Sequence, residues 1–368
     1  LDLFESQYKI PNGVSYNSYV ILDKKVAIMD TVDSRATDEW IANLEKTLDG
    51  RTVDYLVISH LEPDHSANIQ NIMERYPEMK LVGNKKTFDM LPQFFDMDIT
   101  GKTLLVAEGD ELNLGDHTLQ FFMAPMVHWP EVMVEYEKTE KILFSADGFG
   151  KFGALDVEDE WIDEARRYYL NIVGKYGSPV QVLLKKAATL DIKTICPLHG
   201  PILKENLSYY IDKYNTWSKY EPEEDGVLVA YASMHGNTAE AAKKMASILE
   251  EKGAKKVVLF DLSRQDMSEA VTNAFIYDKL ILAGATYDGG VFPCMEEFLL
   301  HLKSKNYQKR TVGIIENGSW APMAAKTMEG ILEKMRNLTI CDSIVTIKSV
   351  AKEKDFENMR QLADEILK

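Results

Sequence analysis

Residues 60–69 read HLEPDHSANI, with two histidines, one glutamate and one aspartate inside six positions, directly after the apolar run Tyr55, Leu56, Val57 and Ile58. A β-forming apolar run that ends in a polar loop reads as a buried strand, here delivering His60, Glu62, Asp64 and His65 to one place. Pro63 fixes its own φ and narrows the loop's freedom. Two carboxylates and two imidazoles are costly to gather away from water unless positive charge sits between them. A metal ion supplies that charge.

One loop cannot surround an ion, so partners are expected at other strand ends. His128 in MVHWPE, Asp147 in LFSADGFG and His199 in CPLHGP each follow an apolar run. These seven side chains offer four imidazoles and three carboxylates, an arrangement that can hold two metals with one carboxylate shared. Of the seven histidines in the chain, four fall at these strand ends, and His117, His235 and His301 are set aside. Imidazole with carboxylate oxygen suits iron, manganese or zinc, and the lack of thiolate argues against copper(I) and iron–sulfur chemistry. Glu62 adds negative charge that favours higher oxidation states, which tilts the site toward redox iron.

Working outward, the 368 residues suggest two domains, each able to bury a core. The formal charge of −16 repels phosphate backbones and makes a nucleic-acid partner unexpected. Cys196, Cys294 and Cys341 are odd in number and widely spaced, with no CxxC, so neither a disulfide framework nor a thiolate site is indicated. No stretch approaches a membrane span, and LDLFESQYKIPNG lacks a secretory pattern. The expectation is a cytoplasmic protein without membrane attachment.

From Asn12 to Pro125, short β-rich runs alternate with helical stretches such as DEWIANLEKTLDG, where Trp40, Ile41, Leu44 and Leu48 share a face. EARRYYLNIVGKYGSPVQVLLKKAATL reads as helical with an interruption near Gly177 to Pro179. KYNTWSKYEPEEDG looks like a linker around residues 214–225. Beyond it the pattern becomes a regular βα alternation of five apolar strands, the sign of a parallel sheet covered on both sides. Ala242, Met245, Ala246 and Leu249 form the buried stripe of its first helix, and Gly253 stands where a cap belongs.

This second half opens with GVLVAYA running into SMHGNTAEAAKKM. Strand, short hydroxyl-bearing loop and helix start make a seat for phosphate, with Ser233, Asn237 and Thr238 adding side-chain bonds and Gly236 letting the backbone approach. It is not the GxxxxGK[ST] loop, which speaks against ATP or GTP. GATYDGGVFP and NGSWAP follow the third and fourth strands, at the edge where ligands of such sheets bind. Tyr287 and Trp320 offer flat surfaces for a ring, and Gly289, Gly290 and Gly318 leave room for it.

HLEPDH, HWPE, SADGFG and PLHG together resemble the metallo-β-lactamase-like domain of flavodiiron proteins, or A-type flavoproteins. Glu62 stands where hydrolases of that fold usually carry histidine, and is characteristic of the flavodiiron branch. The resemblance covers essentially the whole chain. It implies an α/β protein with an N-terminal metallo-β-lactamase-like αββα sandwich over residues 1–220, then a flavodoxin-like doubly wound five-stranded parallel sheet over residues 226–368. On the metal side it implies His60, Glu62 and His128 on one iron, Asp64, His65 and His199 on the other, and Asp147 bridging both. His65 can leave the coordination sphere in this family. On the flavin side, Ser233, Met234, His235, Gly236, Asn237 and Thr238 would cradle the FMN phosphate. Ala285, Thr286, Tyr287, Asp288, Gly289, Gly290, Asn317, Gly318, Ser319, Trp320 and Ala321 would flank the isoalloxazine. His235 departs from the Thr of free flavodoxins and resembles the flavodiiron form.

The implied activity is that of a terminal reductase, taking dioxygen to water, nitric oxide to nitrous oxide, or both. Electrons would pass from an external donor to FMN and then to the two iron ions. With no cysteine pairs after the flavodoxin-like part, the expected donor is a separate rubredoxin or, as in some members, a reduced deazaflavin. Tyr16 and Tyr176 are the implied pocket hydroxyls. A head-to-tail homodimer, or a tetramer, would bring FMN of one subunit to iron of the other. The alternative reading is a zinc hydrolase with a flavodoxin-like appendage; an electron carrier that has lost its metal is a third.

Overall fold

The computed structural model describes residues 3–368 and divides into two compact units, Leu1–Tyr169 with Tyr176–Asn215, and Leu170–Lys175 with Thr216–Lys368. The first unit holds two five-stranded sheets. One runs, in spatial order, Tyr19–Leu22, Val26–Met29, Tyr55–Val57, Lys80–Gly83 and Thr103–Leu105, antiparallel at its first pair and parallel beyond. The other runs Thr194–Cys196, Ile142–Phe144, Met133–Glu137, Thr118–Met123 and Glu111–Asn113. Alternation along the strands sends Ala27, Met29, Val57 and Val82 to meet Leu119, Phe121, Met133 and Phe144 in one apolar layer. On the far face of the first sheet, Val26, Ile28 and Leu56 pack on Leu44 and Leu48 of helix Thr37–Leu48 and on Ile69 and Ile72 of helix Ile69–Arg75. The layers are those of the expected sandwich.

The helical segment after Trp161 is broken earlier than its composition indicates. Helix Trp161–Tyr168 passes through a wide turn, Tyr169–Val173, and a tight one, Gly174–Tyr176, before helix Gly177–Ala187. Gly177 and Pro179 open the second helix instead of ending the first, because proline in a first turn forfeits no internal hydrogen bond. The expected linker is shorter as well. Helix Leu207–Ser218 continues through it and strand Glu224–Tyr231 starts inside it. Tyr214 and Trp217 are buried at i and i+3, and that apolar pair extends the helix into a polar stretch.

The second unit is a parallel sheet in the order Val257–Asp261, Glu224–Tyr231, Tyr277–Tyr287, Arg310–Asn317 and Leu338–Ile347. Val227 to Ala230 are all buried, as strands covered on both faces require. One cover consists of helices Asn237–Glu251 and Glu353–Ile366, whose Ala242, Met245, Leu249, Met359 and Leu362 pack on Val227, Val229, Ile281 and Ile315. Gly253 adopts a φ of +89° and closes the first of these helices. Arg310 is buried at the start of its strand and donates from Nε to Tyr277 O at 2.7 Å, from Nη2 to Phe275 O at 2.5 Å and from Nη1 to Tyr220 O at 2.7 Å. Arg310→Met keeps the stem and removes the donor from these carbonyls and from those of Gln308 and Lys309. It is expected to destabilise this unit by roughly 3 kcal/mol, read as a lower urea midpoint for its transition.

Candidate active site

Strand Tyr55–Val57 ends one turn before the short helix Pro63–Ser66, and the loop between them turns His60 and Glu62 inward. His60 Nε2 and His128 Nε2 both lie 3.1 Å from Glu62 Oε2. Asp147 stands between two groups of side chains. Its Oδ2 is 3.1 Å from His128 Nε2 and 3.5 Å from His60 Nε2, while its Oδ1 is 3.1 Å from His65 Nε2 and 3.7 Å from His199 Nε2. Asp64 Oδ2 is 3.4 Å from both His65 Nε2 and His199 Nε2. His60, Glu62, His128 and Asp147 form one set with potential ligand atoms within 4.8 Å of one another, and Asp64, His65 and His199 form the second. All seven sequence-derived candidates therefore converge. The turn carrying Asp147 is tight, with Ser145 Oγ donating to Gly148 O at 2.6 Å and a Cβ on Gly150 falling 3.0 Å from Asp147 O.

Three supporting residues escaped the sequence reading. Glu131 Oε1 accepts from the Leu61 amide at 2.9 Å and sits 2.8 Å from His60 Nδ1, which orients the ring with Nε2 inward. His199 Nδ1 donates to Ser15 O at 2.8 Å, and Ser15 Oγ accepts from the Gly200 amide at 2.7 Å. Asp30 Oδ1 accepts from the amides of Ser59, at 2.8 Å, and His60, at 3.2 Å, tying the loop to the neighbouring strand. Signals existed for two of them: Glu131 closes the HWPE motif, and Asp30 ends the run VAIMD as the ligand candidates end theirs.

The electrostatics match a cation site. Burial would raise Glu62, but His128 and His60 hold it well below the usual carboxylate range. Burial likewise works against ionised Asp147, and His128 and His65 reverse it strongly. Burial opposes imidazolium at His128, yet Asp147 and Glu62 lift it to about 9. His60 and His65 also rise against their burial, through Glu131 and Glu62 for the first and Asp64 and Asp147 for the second. Both Asp64 oxygens, Asp147 Oδ1 and His128 Nε2 are buried without a hydrogen bond. Such orphans facing one another are what oxygen and nitrogen ligands look like around a metal position. The donor set fits two hard-to-borderline ions.

Aromatic side chains close the site. Trp129 lies edge-on to His60 at 5.2 Å, and Phe4 edge-on to His199 at 5.5 Å. Tyr16 packs on His199 at 5.6 Å, and its hydroxyl accepts from Arg35 Nη2 at 3.2 Å. Tyr176 ends the tight turn ahead of helix Gly177–Ala187, at its N-cap. From the same segment Tyr168 is buried 5.4 Å from the His199 ring, and is raised by burial and then by Asp147, Asp64 and Glu62.

In the second unit a cavity of about 560 Å³ opens at the carboxyl ends of the strands. Ser233, Met234, His235, Asn237 and Thr238 line it from the first loop, and Ala285, Thr286, Asp288 and Gly289 from the second. Asn317, Gly318, Ser319, Trp320 and Ala321 line it from the third. Gly236 caps helix Asn237–Glu251 with a φ of +96°, a conformation glycine adopts freely. Three candidates behave differently from expectation: Gly236, Tyr287 and Gly290 are not in the lining, and the Tyr287 ring turns edge-on to Phe292 at 5.5 Å. Met323 and Ser349 line the cavity unforeseen. Ser349 follows the last strand and is locked to Asn317, whose Nδ2 donates to Ser349 O at 2.8 Å while Oδ1 accepts from Ser349 N at 2.9 Å. Trp320 is 92% exposed at the rim. Amides at a helix start beside a wide, partly apolar cleft suit a phosphate-bearing flat ring, so the residues fit FMN.

The profile described as ODP family beta lactamase matches residues 14–200, just over half the chain, and a flavodoxin domain profile matches residues 228–345. An uncharacterized protein of Methanocaldococcus jannaschii is 30% identical, covering 97% of this chain and 92% of that protein. The anaerobic nitric oxide reductase flavorubredoxin of Aliivibrio fischeri is 29% identical over 87% of this chain, which spans 66% of that longer protein. The rubredoxin oxygen:oxidoreductase of Desulfovibrio gigas superposes with a TM-score of 0.92 at 25% identity, covering 99% of this chain and 92% of that one. The chain belongs to the flavodiiron protein family. As a flavodiiron protein it is an oxidoreductase whose cofactors are FMN and a pair of iron ions.

Because imidazolium at His60, His65 and His128 is favoured in the metal-free protein, metal must displace protons to bind. The sign follows directly. Apparent affinity for zinc should rise with pH, by up to tenfold per unit for each proton displaced, and the His128 contribution should level off above about 9. Chelator competition across that range measures it, and a flat profile contradicts the assignment.

Proposed function

We propose that this flavodiiron protein is a terminal reductase for dioxygen, nitric oxide or both, fed by an external donor such as rubredoxin. The observation that carries the reading is Asp147, whose two oxygens face two separate imidazole–carboxylate sets. In the proposal His60, Glu62 and His128 hold one iron, Asp64, His65 and His199 the other, and Asp147 belongs to both. When bound, FMN takes up electrons singly or in pairs and the two iron ions pass them to a small molecule.

The chain's own residues set the conditions. Glu131 and Ser15 O keep the Nε2 atoms of His60 and His199 turned inward, so the ligands need no reorganisation. Glu62 contributes charge that an imidazole would not, favouring oxidised iron over a hydrolytic zinc. Trp129 and Phe4 exclude water beside the reacting position. Tyr16 and Tyr176 are the proposed pocket hydroxyls for holding a proton, and Tyr168, 5.4 Å from the His199 ring, is a further one. Support for the flavin assignment comes from the strand-end cavity and its lining loops.

We further propose head-to-tail homodimers, with FMN of one copy beside iron of its partner, working in the cytoplasm. Among the described residues no helix is long and apolar enough to cross a membrane. Anaerobic stopped-flow of the fully reduced, iron-loaded protein, mixed separately with each gas, tests the reading. Rapid reoxidation by at least one gas is expected; ester hydrolysis with zinc and no reoxidation would replace it with a hydrolase.

Two substitutions separate the halves. Asp147→Ala should lower gas consumption by about 100-fold and reduce bound iron while leaving flavin absorbance intact. In Gly318→Ala the new Cβ would fall 2.8 Å from Pro322 Cα and 2.9 Å from Thr286 Oγ1. That should open the loop and weaken FMN binding by roughly tenfold with iron content unchanged, as measured by flavin fluorescence.

A further inference from the structure

Strand Met133–Glu137 sets Glu135 opposite Phe121 on one side and Phe144 on the other. Alternation points it the same way as Met133, into the apolar layer that also holds Ala27, Met29 and Val57. Glu135 is 0% exposed. Its Oε2 lies 3.0 Å from Ser59 Oγ, and its Oε1 has no hydrogen-bond partner. Among the described residues its charged neighbour is Asp30, another acid, and no lysine, arginine or histidine pairs with it. An ionised carboxylate here would be a buried charge with no counterion beside a like charge, the least favourable state a carboxyl can take. Nor does ordinary core packing call for a glutamate between two phenylalanines.

We infer that Glu135 is held as a neutral carboxylic acid that donates to Ser59 Oγ, and that through this bond it is a positioning residue for the metal loop. The Ser59 hydroxyl is thereby fixed by the acid, while the amide of the same residue donates to Asp30. Asp30 Oδ1 already accepts the amides of Ser59 and His60, at 2.8 and 3.2 Å. Glu135 thus holds Ser59 by its hydroxyl and Asp30 holds it by its amide, at the point where His60 leaves its strand. Burial pushes Glu135 far above the usual carboxylate range and Asp30 adds to this, in keeping with the neutral form. The inference rests on the proposed metal ligands and not on which gas is reduced.

The test begins with infrared spectra of the metal-free protein. Wild type should show the carbonyl stretch of a protonated carboxylic acid at neutral pH, and Glu135→Gln should lack it. Zinc affinity is then measured by chelator competition. Glu135→Gln, whose amide can donate to Ser59, should bind within about twofold of wild type, whereas Glu135→Met, of similar length with no donor, should bind about tenfold more weakly. Absence of the band overturns the neutral acid. Equal affinity of wild type and Glu135→Met overturns the positioning role, as does a loss in Glu135→Gln equal to that in Glu135→Met. If Glu135→Met does not fold, the band and the Glu135→Gln affinity decide the matter. Failure of wild type to bind zinc would instead sink the metal-site reading and the positioning role with it, while the band still reports on the acid.

Discussion

The first unit is organised around one electrostatic demand, that three carboxylates and four imidazoles share a dry space with Asp147 at its middle. Two unit charges about 4 Å apart at an effective dielectric near 20 interact by roughly 4 kcal/mol, so like charges in such a space must be offset or removed. In the metal-free chain, protons favoured on His60, His65 and His128 do this. In the loaded protein the cations would do it with fixed geometry. The same groups are thus consistent with a folded protein in both states, and the exchange of protons for metal is built into the ligand set.

Both units put their chemistry at strand ends. In the sandwich, His60, Asp147 and His199 follow strands Tyr55–Val57, Ile142–Phe144 and Thr194–Cys196. In the parallel sheet, Ser233, Thr286, Asn317 and Ser349 stand at or just beyond the carboxyl ends of four strands. A sheet fixes where each strand stops, and a short loop moves a side chain only a few ångströms from that point, so ligands from distant sequence positions can meet without long, costly loops. That is why motifs widely separated in the chain meet in one centre.

What was legible in the sequence follows from the same rule. A ligand carries its identity in its residue type and its position after an apolar run, so His60, His128, Asp147 and His199 announce themselves. A supporting residue does not. Ser15 acts through its carbonyl, which every residue has, and its hydroxyl looks like any other in a loop. The edge-on contact of Tyr287 with Phe292 involves a tertiary neighbour invisible to local pattern. Ser349 carries no local signal, because its place depends on its backbone being bonded by the side-chain amide of Asn317, 32 residues away. The linker failed for a similar reason: polar composition outweighed the two buried aromatics, Tyr214 and Trp217, that carry the helix on.

The acids of the first unit show how position alone assigns different roles to one functional group. Glu62 and Glu131 lie beside imidazoles and are held ionised against their burial. Asp30, one layer further in, receives amides instead of cations, and its burial leaves it at about 6. Glu135, deeper still, has a single hydroxyl and an acid for company, and rises furthest. Proton affinity in these four acids therefore follows what each one faces, imidazole, amides, or a lone hydroxyl and a second acid. Negative charge is concentrated where cations can bind and withdrawn from Glu135 in the apolar layer behind them. A uniform distribution of the same carboxylates would have raised the proton affinity of the ligands themselves, and a metal would then have had to displace protons from oxygen as well as from nitrogen.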